Sequence, residues 1–222
     1  MSRVSIARPM HVVGWGTALV VLAWFATTQT GWEVDLRFAG WVRDLRAGTF
    51  NGDLDGLFLG VTEVFRPIFV APAAAIGALL LWRRLRAMAL LVPLAFATSI
   101  AMTYAMKWVL DRDRPVGGLR ISELPALHDA AFPSAHVAGV TGTGMALVQV
   151  LVPMVRRGMA KALQWAVIAL IGVVALSRVW VGAHWLTDVA GGLAAGIVGL
   201  IIALLVMRSA PVRRMMAGGR RF

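Results

Sequence analysis

Three short groups of polar residues interrupt an otherwise apolar chain, and their types suit one chemistry. Lys107, Arg114 and Pro115 form Lys-x6-Arg-Pro; Pro133-Ser134-Ala135-His136 forms a second group; Ser177, Arg178, His184 and Asp188 form Ser-Arg-x5-His-x3-Asp. Lys107, Arg114 and Arg178 bring three cations, two of them planar forks suited to the oxygens of a phosphate-like anion. Pro133 preorganises a first helical turn, where the Ser134 hydroxyl and nearby backbone N–H groups meet the positive end of a helix dipole and can hold a phosphoryl oxygen. The four-residue spacing of His184 and Asp188 predicts one helical face, with the carboxylate accepting from one ring nitrogen and the other lone pair aimed outward as a nucleophile. His136 suits a general acid that protonates a leaving oxygen and then, as a base, activates water. Such a pair of histidines needs neither a metal nor a thiol, and the chain contains no cysteine.

Taken singly, each residue has a plainer role. Lys107 could snorkel and pair with Asp111, Arg114 could be an aqueous loop charge, Ser134 an N-cap, Ser177 a donor to its own helix, and Arg178 an interfacial anchor. Either histidine alone could be a packed one. Asp188 is harder to dismiss, since a carboxylate four residues into an apolar stretch needs a partner. The coincidence of all of them at corresponding ends of hydrophobic runs is what argues for a site.

The elements that must position these residues follow from composition. Of 222 residues, 59% are hydrophobic and 15% charged, with a mean hydropathy of +0.76, beyond the range of soluble domains. Six stretches approach the roughly 20 apolar residues that cross a bilayer: Met10 to Thr28, Pro67 to Trp82, Ala87 to Leu110, Pro133 to Val155, Ala162 to Val181 and Trp185 to Met207. The expectation is an all-α polytopic membrane protein with six transmembrane helices, a single domain over residues 1–222. An even number of spans puts both termini on one side. Arg3, Arg8, Arg83, Arg84, Arg86, Arg156, Arg157, Lys161, Arg208, Arg213, Arg214, Arg220 and Arg221 fall on that side, with none of the 11 acids. The positive-inside rule makes it cytoplasmic and turns the three polar groups outward. The formal charge of +11 thus reflects topology and anionic lipid, not nucleic acid.

The first outer loop carries Val34, Phe38, Trp41, Val42 and Leu45 on one arc of a helical wheel, with Asp35, Arg37, Arg43 and Arg46 elsewhere, which predicts a helix lying in the membrane interface or packed on the protein. Asn51-Gly-Asp53-Leu-Asp55-Gly56 opens like a calcium loop but has Thr62 where the bidentate Glu belongs, so a polar turn is expected. The first apolar run is longer than a signal peptide's and lacks an A-x-A site, predicting an uncleaved helix. Gly192-x3-Gly196 and the set Gly139, Gly142 and Gly144 suit close helix packing, within the chain or between copies of a homo-oligomer. His11 and His128 have no comparable company.

The three polar groups resemble the signature motifs of the type 2 phosphatidic acid phosphatase superfamily, which includes membrane lipid phosphatases and vanadium-dependent haloperoxidases. The match runs through Lys107, Arg114 and Pro115, then Pro133, Ser134 and His136, then Ser177, Arg178, His184 and Asp188; Ala135 stands where the family usually has glycine. The resemblance implies a six-helix core with its pocket at the extracytoplasmic boundary, no metal cofactor, and a phosphohistidine on His184 oriented by Asp188. It also implies His136 as acid and base, with Lys107, Arg114, Ser134 and Arg178 holding the phosphoryl group, and a lipid tail entering laterally between helices. The implied substrate is a lipid phosphate such as undecaprenyl diphosphate, phosphatidic acid or phosphatidylglycerol phosphate. Competing readings are a phosphotransferase using the same site, a nonenzymatic anion or lipid-phosphate transporter or binding protein, and a haloperoxidase.

Overall fold

The computed structural model describes residues 9–209 apart from 123 and 126. Among these residues the regular structure is helical: α1 (Pro9–Thr27), α2 (Gln29–Gly48), α3 (Asp55–Val64), α4 (Pro67–Leu85), α5 (Leu91–Leu110), α6 (Ala135–Leu151), α7 (Arg157–Trp180) and α8 (Leu186–Arg208), with short 3-10 turns at Arg86–Leu90, Gly117–Leu119 and Val152–Met154. Among the described residues, five segments are long and apolar enough to cross a membrane: Met10–Thr27, Pro67–Leu110, Ala135–Met154, Arg157–Trp180 and Leu186–Arg208. The second runs for 44 residues. As one helix it would extend roughly 66 Å, more than twice a hydrocarbon core. It is broken where Arg86 takes a φ of 52°, and α4 and α5 turn back to pack on each other. Trp108 is 87% exposed and Leu80 76%, an apolar exterior that suits a lipid solvent.

α8 is the axis of the bundle, packed by α5, α6 and α1. Small residues let the helices approach. A Cβ on Gly192 would stand 2.7 Å from the carbonyl of Ser134, the residue before α6, and one on Gly196 2.8 Å from that of Ala138 on α6. Gly192-x3-Gly196 therefore serves packing within the chain. Thr98 Oγ1 donates to the Gly199 carbonyl at 2.7 Å, tying α5 to the same helix.

At one end of the bundle, α2 and α3 cover the end of α7 and the start of α8. Val42 and Phe58 pack with Trp180, Val181 and Val189, Arg46 donates to the Trp180 carbonyl at 3.0 Å, and the Trp180 indole donates to Asp55 at 2.8 Å. The predicted helix of the first loop forms, but its buried stripe is Gly31, Asp35, Val42 and Arg46, while Val34 and Trp41 are exposed. The apolar arc and the inward face coincide only in part, because the partners waiting beneath α2 are polar. Asn51 and Gly52 take φ values of 45° and 79° in the expected polar turn. Arg83, Arg84, Arg86, Arg156, Arg157, Lys161 and Arg208 lie at helix ends remote in chain order from this cap. The further cations Arg3, Arg8, Arg213, Arg214, Arg220 and Arg221 lie outside the described residues.

Candidate active site

His184 lies in the turn between α7 and α8, ahead of the first helical residue, Leu186. Its N–H and that of Ala183 both donate to the Arg178 carbonyl, at 3.2 and 3.0 Å. The turn depends on Gly182, at a φ of 70°, where a side chain would strike the backbone of Leu119 and Arg120. The predicted shared helical face of His184 and Asp188 is thus replaced by a cap. Asp188, in the first turn of α8, accepts from the Trp185 N–H at 2.8 Å through Oδ2, and the same oxygen lies 3.4 Å from His184 Nδ1. That separation is within ion-pair range and long for a hydrogen bond, a geometry suited to tightening as the ring gains charge. On the other edge, Arg114 Nη1 is 3.2 Å from His184 Nε2. His184 is buried, and burial, then the positive fields of Arg114, Arg178, Lys107 and His136, hold its pKa well below the ordinary imidazole value.

Arg114 is aimed by its surroundings. It donates through Nε to the Asp129 carbonyl at 2.8 Å, through Nη1 to the Ala183 carbonyl at 2.6 Å, and through Nη2 to the Asp129 carboxylate at 2.7 Å. Lys107, near the end of α5, donates to the Ala130 carbonyl and pairs with the other Asp129 oxygen at 3.0 Å. Asp111 is instead spent on ending α5, in a left-handed conformation with its N–H on the Lys107 carbonyl. Asp129 is half-exposed and bridges both cations. Partial burial opposes its ionisation, but the hydrogen bond and charge of Lys107, with Arg114, outweigh this and hold its carboxyl below the usual range.

Ser134 precedes α6, and its backbone N–H donates to the Asp188 carbonyl at 3.0 Å. Its hydroxyl does not cap the helix. Ser134 Oγ, His136 Nε2 and Arg178 Nε and Nη1 are buried polar atoms with no hydrogen-bond partner among the described residues. Ser177 is occupied locally, donating to the Val174 carbonyl at 2.7 Å and accepting from Thr62 at 3.3 Å. Buried polar atoms left without partners are costly and rare, so this set, with Arg178 among it and Lys107 and Arg114 as further cations, marks a seat for an oxyanion.

The chain matches the PAP2 superfamily over residues 86–211. It belongs to that superfamily. A search of curated protein sequences found no match. The fold is similar to the crystal structure of the first transmembrane PAP2 type phosphatidylglycerolphosphate phosphatase from Bacillus subtilis, with a TM-score of 0.71 at 23% identity, covering 89% of this chain and 96% of that one. The PAP2 match embraces all three polar groups, and this chain is accordingly a helical membrane protein of the PAP2 fold.

One cavity reaches the PAP2 motifs at Arg114 and Pro115, and a second lies farther along the bundle. The first, a polar one of 530 Å³, reaches Arg114 from outside and is lined also by Trp32, Arg120, His128 and Asp129. The second, an apolar one of 310 Å³, lies between α4, α5, α6 and α7, with Phe65, Phe69, Val140, Thr143 and Leu147 among its walls. Val140, Thr143 and Leu147 follow His136 along one face of α6. Sequence reasoning missed Asp129, Arg112 and Asp35. Asp129 sits in a loop without periodicity, Arg112 occupies one of the six unspecified positions inside Lys-x6-Arg-Pro, and Asp35 falls off the apolar arc of an amphipathic helix.

Proposed function

We propose that this protein is an integral-membrane lipid phosphatase that removes phosphate from an isoprenoid or glycerol lipid at the extracytoplasmic face through a phosphohistidine intermediate. The observation that carries the reading is the set of unpartnered buried polar atoms on Ser134, His136 and Arg178 beside the Arg114–His184 contact. Six spans are proposed as α1, α4, α5, α6, α7 and α8, with both termini cytoplasmic; the clustering of cations at one set of helix ends supports this.

In this scheme His184 Nε2 attacks phosphorus while the bond from phosphorus to the lipid oxygen breaks, and His136 delivers a proton to that oxygen. Lys107, Arg114, Ser134 and Arg178 hold the non-bridging oxygens and the charge that builds on them. Asp188 balances the imidazolium. Water then attacks phosphorus, His136 takes its proton, the P–N bond breaks, and inorganic phosphate leaves. The apolar cavity along α6 is the proposed seat of the lipid tail, and the polar cavity outside Arg114 admits water.

The test is phosphate release from a panel of undecaprenyl diphosphate, phosphatidic acid and phosphatidylglycerol phosphate in detergent, with wild type and His184→Ala, in EDTA throughout. Wild type should release phosphate from at least one lipid and trap label on histidine, and His184→Ala should lose several orders of magnitude. A folded wild type that binds these lipids without hydrolysing them, or an His184→Ala that remains as active as wild type, overturns the reading in favour of a binding protein or transporter.

A further inference from the structure

Asp35 of α2 and Arg112, two residues past the end of α5, are completely or almost completely withdrawn from water, at 0% and 5% exposure, yet neither belongs to the oxyanion seat. They form a closed ionic cluster with the first turn of α8. Arg112 Nη2 donates to Asp35 at 2.6 Å; Nη1 donates to Asp188 Oδ1 at 2.6 Å and to Thr187 Oγ1 at 2.7 Å. Thr187 returns two bonds to Asp35, from its hydroxyl at 2.6 Å and its backbone N–H at 3.0 Å. The guanidinium is stacked 4.6 Å from the centroid of Trp32, with the Trp185 ring at 6.0 Å.

Asp188 thereby has both oxygens assigned. Oδ1 is held by Arg112, while Oδ2 takes the Trp185 N–H and faces His184 Nδ1. Without Arg112 the carboxylate could rotate about its side-chain torsions, and the oxygen facing the imidazole would have no fixed direction. Asp35 has the complementary task. It ties the guanidinium to α2 and caps the α8 backbone at Thr187, so that the turn carrying His184 is braced from a separate helix. Two carboxylates and one guanidinium leave a net negative charge behind a ring otherwise surrounded by Arg114, Arg178 and Lys107. Burying such a cluster is expensive, and breaking a buried pair is worse than never having it. A merely stabilising contact could be made with apolar side chains.

We infer that Arg112 and Asp35 are positioning residues that fix the Asp188 carboxylate, and through it the orientation and tautomer of His184, without touching the substrate. The inference deepens the phosphatase reading and rests on it for its kinetic consequences. Their expected size follows from geometry: misplacing a reacting group by about 1 Å costs on the order of 100-fold in rate.

The experiment uses the full-length protein in detergent as wild type, Asp35→Asn and Arg112→Lys, each checked for folding by size-exclusion chromatography and thermal melting. Expected are a fall in kcat of about 10- to 100-fold with KM changed less than about 3-fold, and stabilisation by orthovanadate equal to that of wild type, because the oxyanion donors are intact. Asp35→Asn keeps the shape of the cluster, so it remains informative if Arg112→Lys does not fold. An unchanged kcat in a folded variant overturns the inference; so does loss of vanadate stabilisation together with kcat, which would make Arg112 a ligand of the anion. A second arm does not depend on turnover. Nitrogen NMR of histidine-labelled protein should show His184 protonated on Nδ1 in wild type and a mixed or reversed tautomer in Asp35→Asn. An inactive wild type sinks the phosphatase reading alone, whereas an unaltered His184 signal in folded Asp35→Asn sinks the positioning role whatever the activity.

Discussion

Arg114 Nη1 lies 3.2 Å from His184 Nε2, and a guanidinium has hydrogens to give but no lone pair to accept with. The contact is favourable only when Nε2 is the unprotonated nitrogen, the tautomer that Asp188 selects from the opposite edge by taking the ring proton on Nδ1. One arginine thus marks the nitrogen whose lone pair is available. Replacing it with an ammonium keeps the charge and loses the fork that also grips Asp129 and Ala183. Arg114→Lys should lower kcat/KM for the preferred lipid by about 100-fold, roughly 2.7 kcal/mol in the barrier. A loss below about threefold would mean that charge alone suffices there.

Asp129 neutralises two cations that would otherwise face each other across the site. Its carboxyl is held below the usual range by Lys107 and Arg114, so the folded state binds this proton less readily than the unfolded chain. The associated stability is present above the unfolded value near 3.9 and disappears as pH falls through the lower folded value. Asp129→Asn should melt a few degrees below wild type at pH 7, a modest effect because the carboxylate is half-exposed to solvent, and the gap should close below about pH 4. Melting curves that stay parallel from pH 7 to pH 3 would refute the assignment.

His184 carries the opposite linkage. Burial and its cationic neighbours depress its folded pKa, while the unfolded chain titrates near 6.5, so the unfolded state alone takes up a proton as the solution becomes mildly acidic. The protein should therefore lose stability as pH drops below about 6.5. In His184→Gln, which cannot ionise, the slope of melting temperature between pH 7.5 and 5.5 should be shallower than in wild type. Equal slopes would show that this imidazole is not held neutral.

The tail assignment predicts a split between substrates. Ala73 lines the 310 Å³ apolar cavity, and Ala73→Phe adds a ring to that space without touching a charged group. KM for a long-chain lipid phosphate should rise about tenfold, the order expected when roughly 1.4 kcal/mol of apolar contact is lost, while a short-chain, water-soluble phosphate should be hydrolysed as before. If both substrates suffer alike, the cavity is not the tail's seat.

Sidedness can be read by labelling, since the chain has no native cysteine. Val116→Cys lies at a 72% exposed position beside the site, and Arg84→Cys lies in the last turn of α4. In intact cells an impermeant maleimide should modify the first and spare the second until the membrane is opened. The reverse pattern would invert the proposed topology.

The hydrophobic runs and the residue types Lys107, Arg114, Ser134, His136, Arg178, His184 and Asp188 were legible from the chain alone. A bilayer leaves a span few structural options, and cations, hydroxyls and imidazoles at the ends of apolar helices have few inexpensive explanations. The spanning helices followed from local apolar length, and the close approach of Gly192 and Gly196 from their four-residue spacing. What no linear pattern could supply was how the helices turn about their own axes and which loop atoms come back over the site. Only packing decided that Asp35 faces inward while Trp41 faces out, that Asp129 rather than Asp111 pairs with Lys107, and that Asp188 meets His184 through a cap rather than along a helix. The physical reason is the same in each case. Asp35 and Lys107 are buried with partners that arrive from distant segments, Arg112 and Asp129, and that arrival is a property of the assembled bundle.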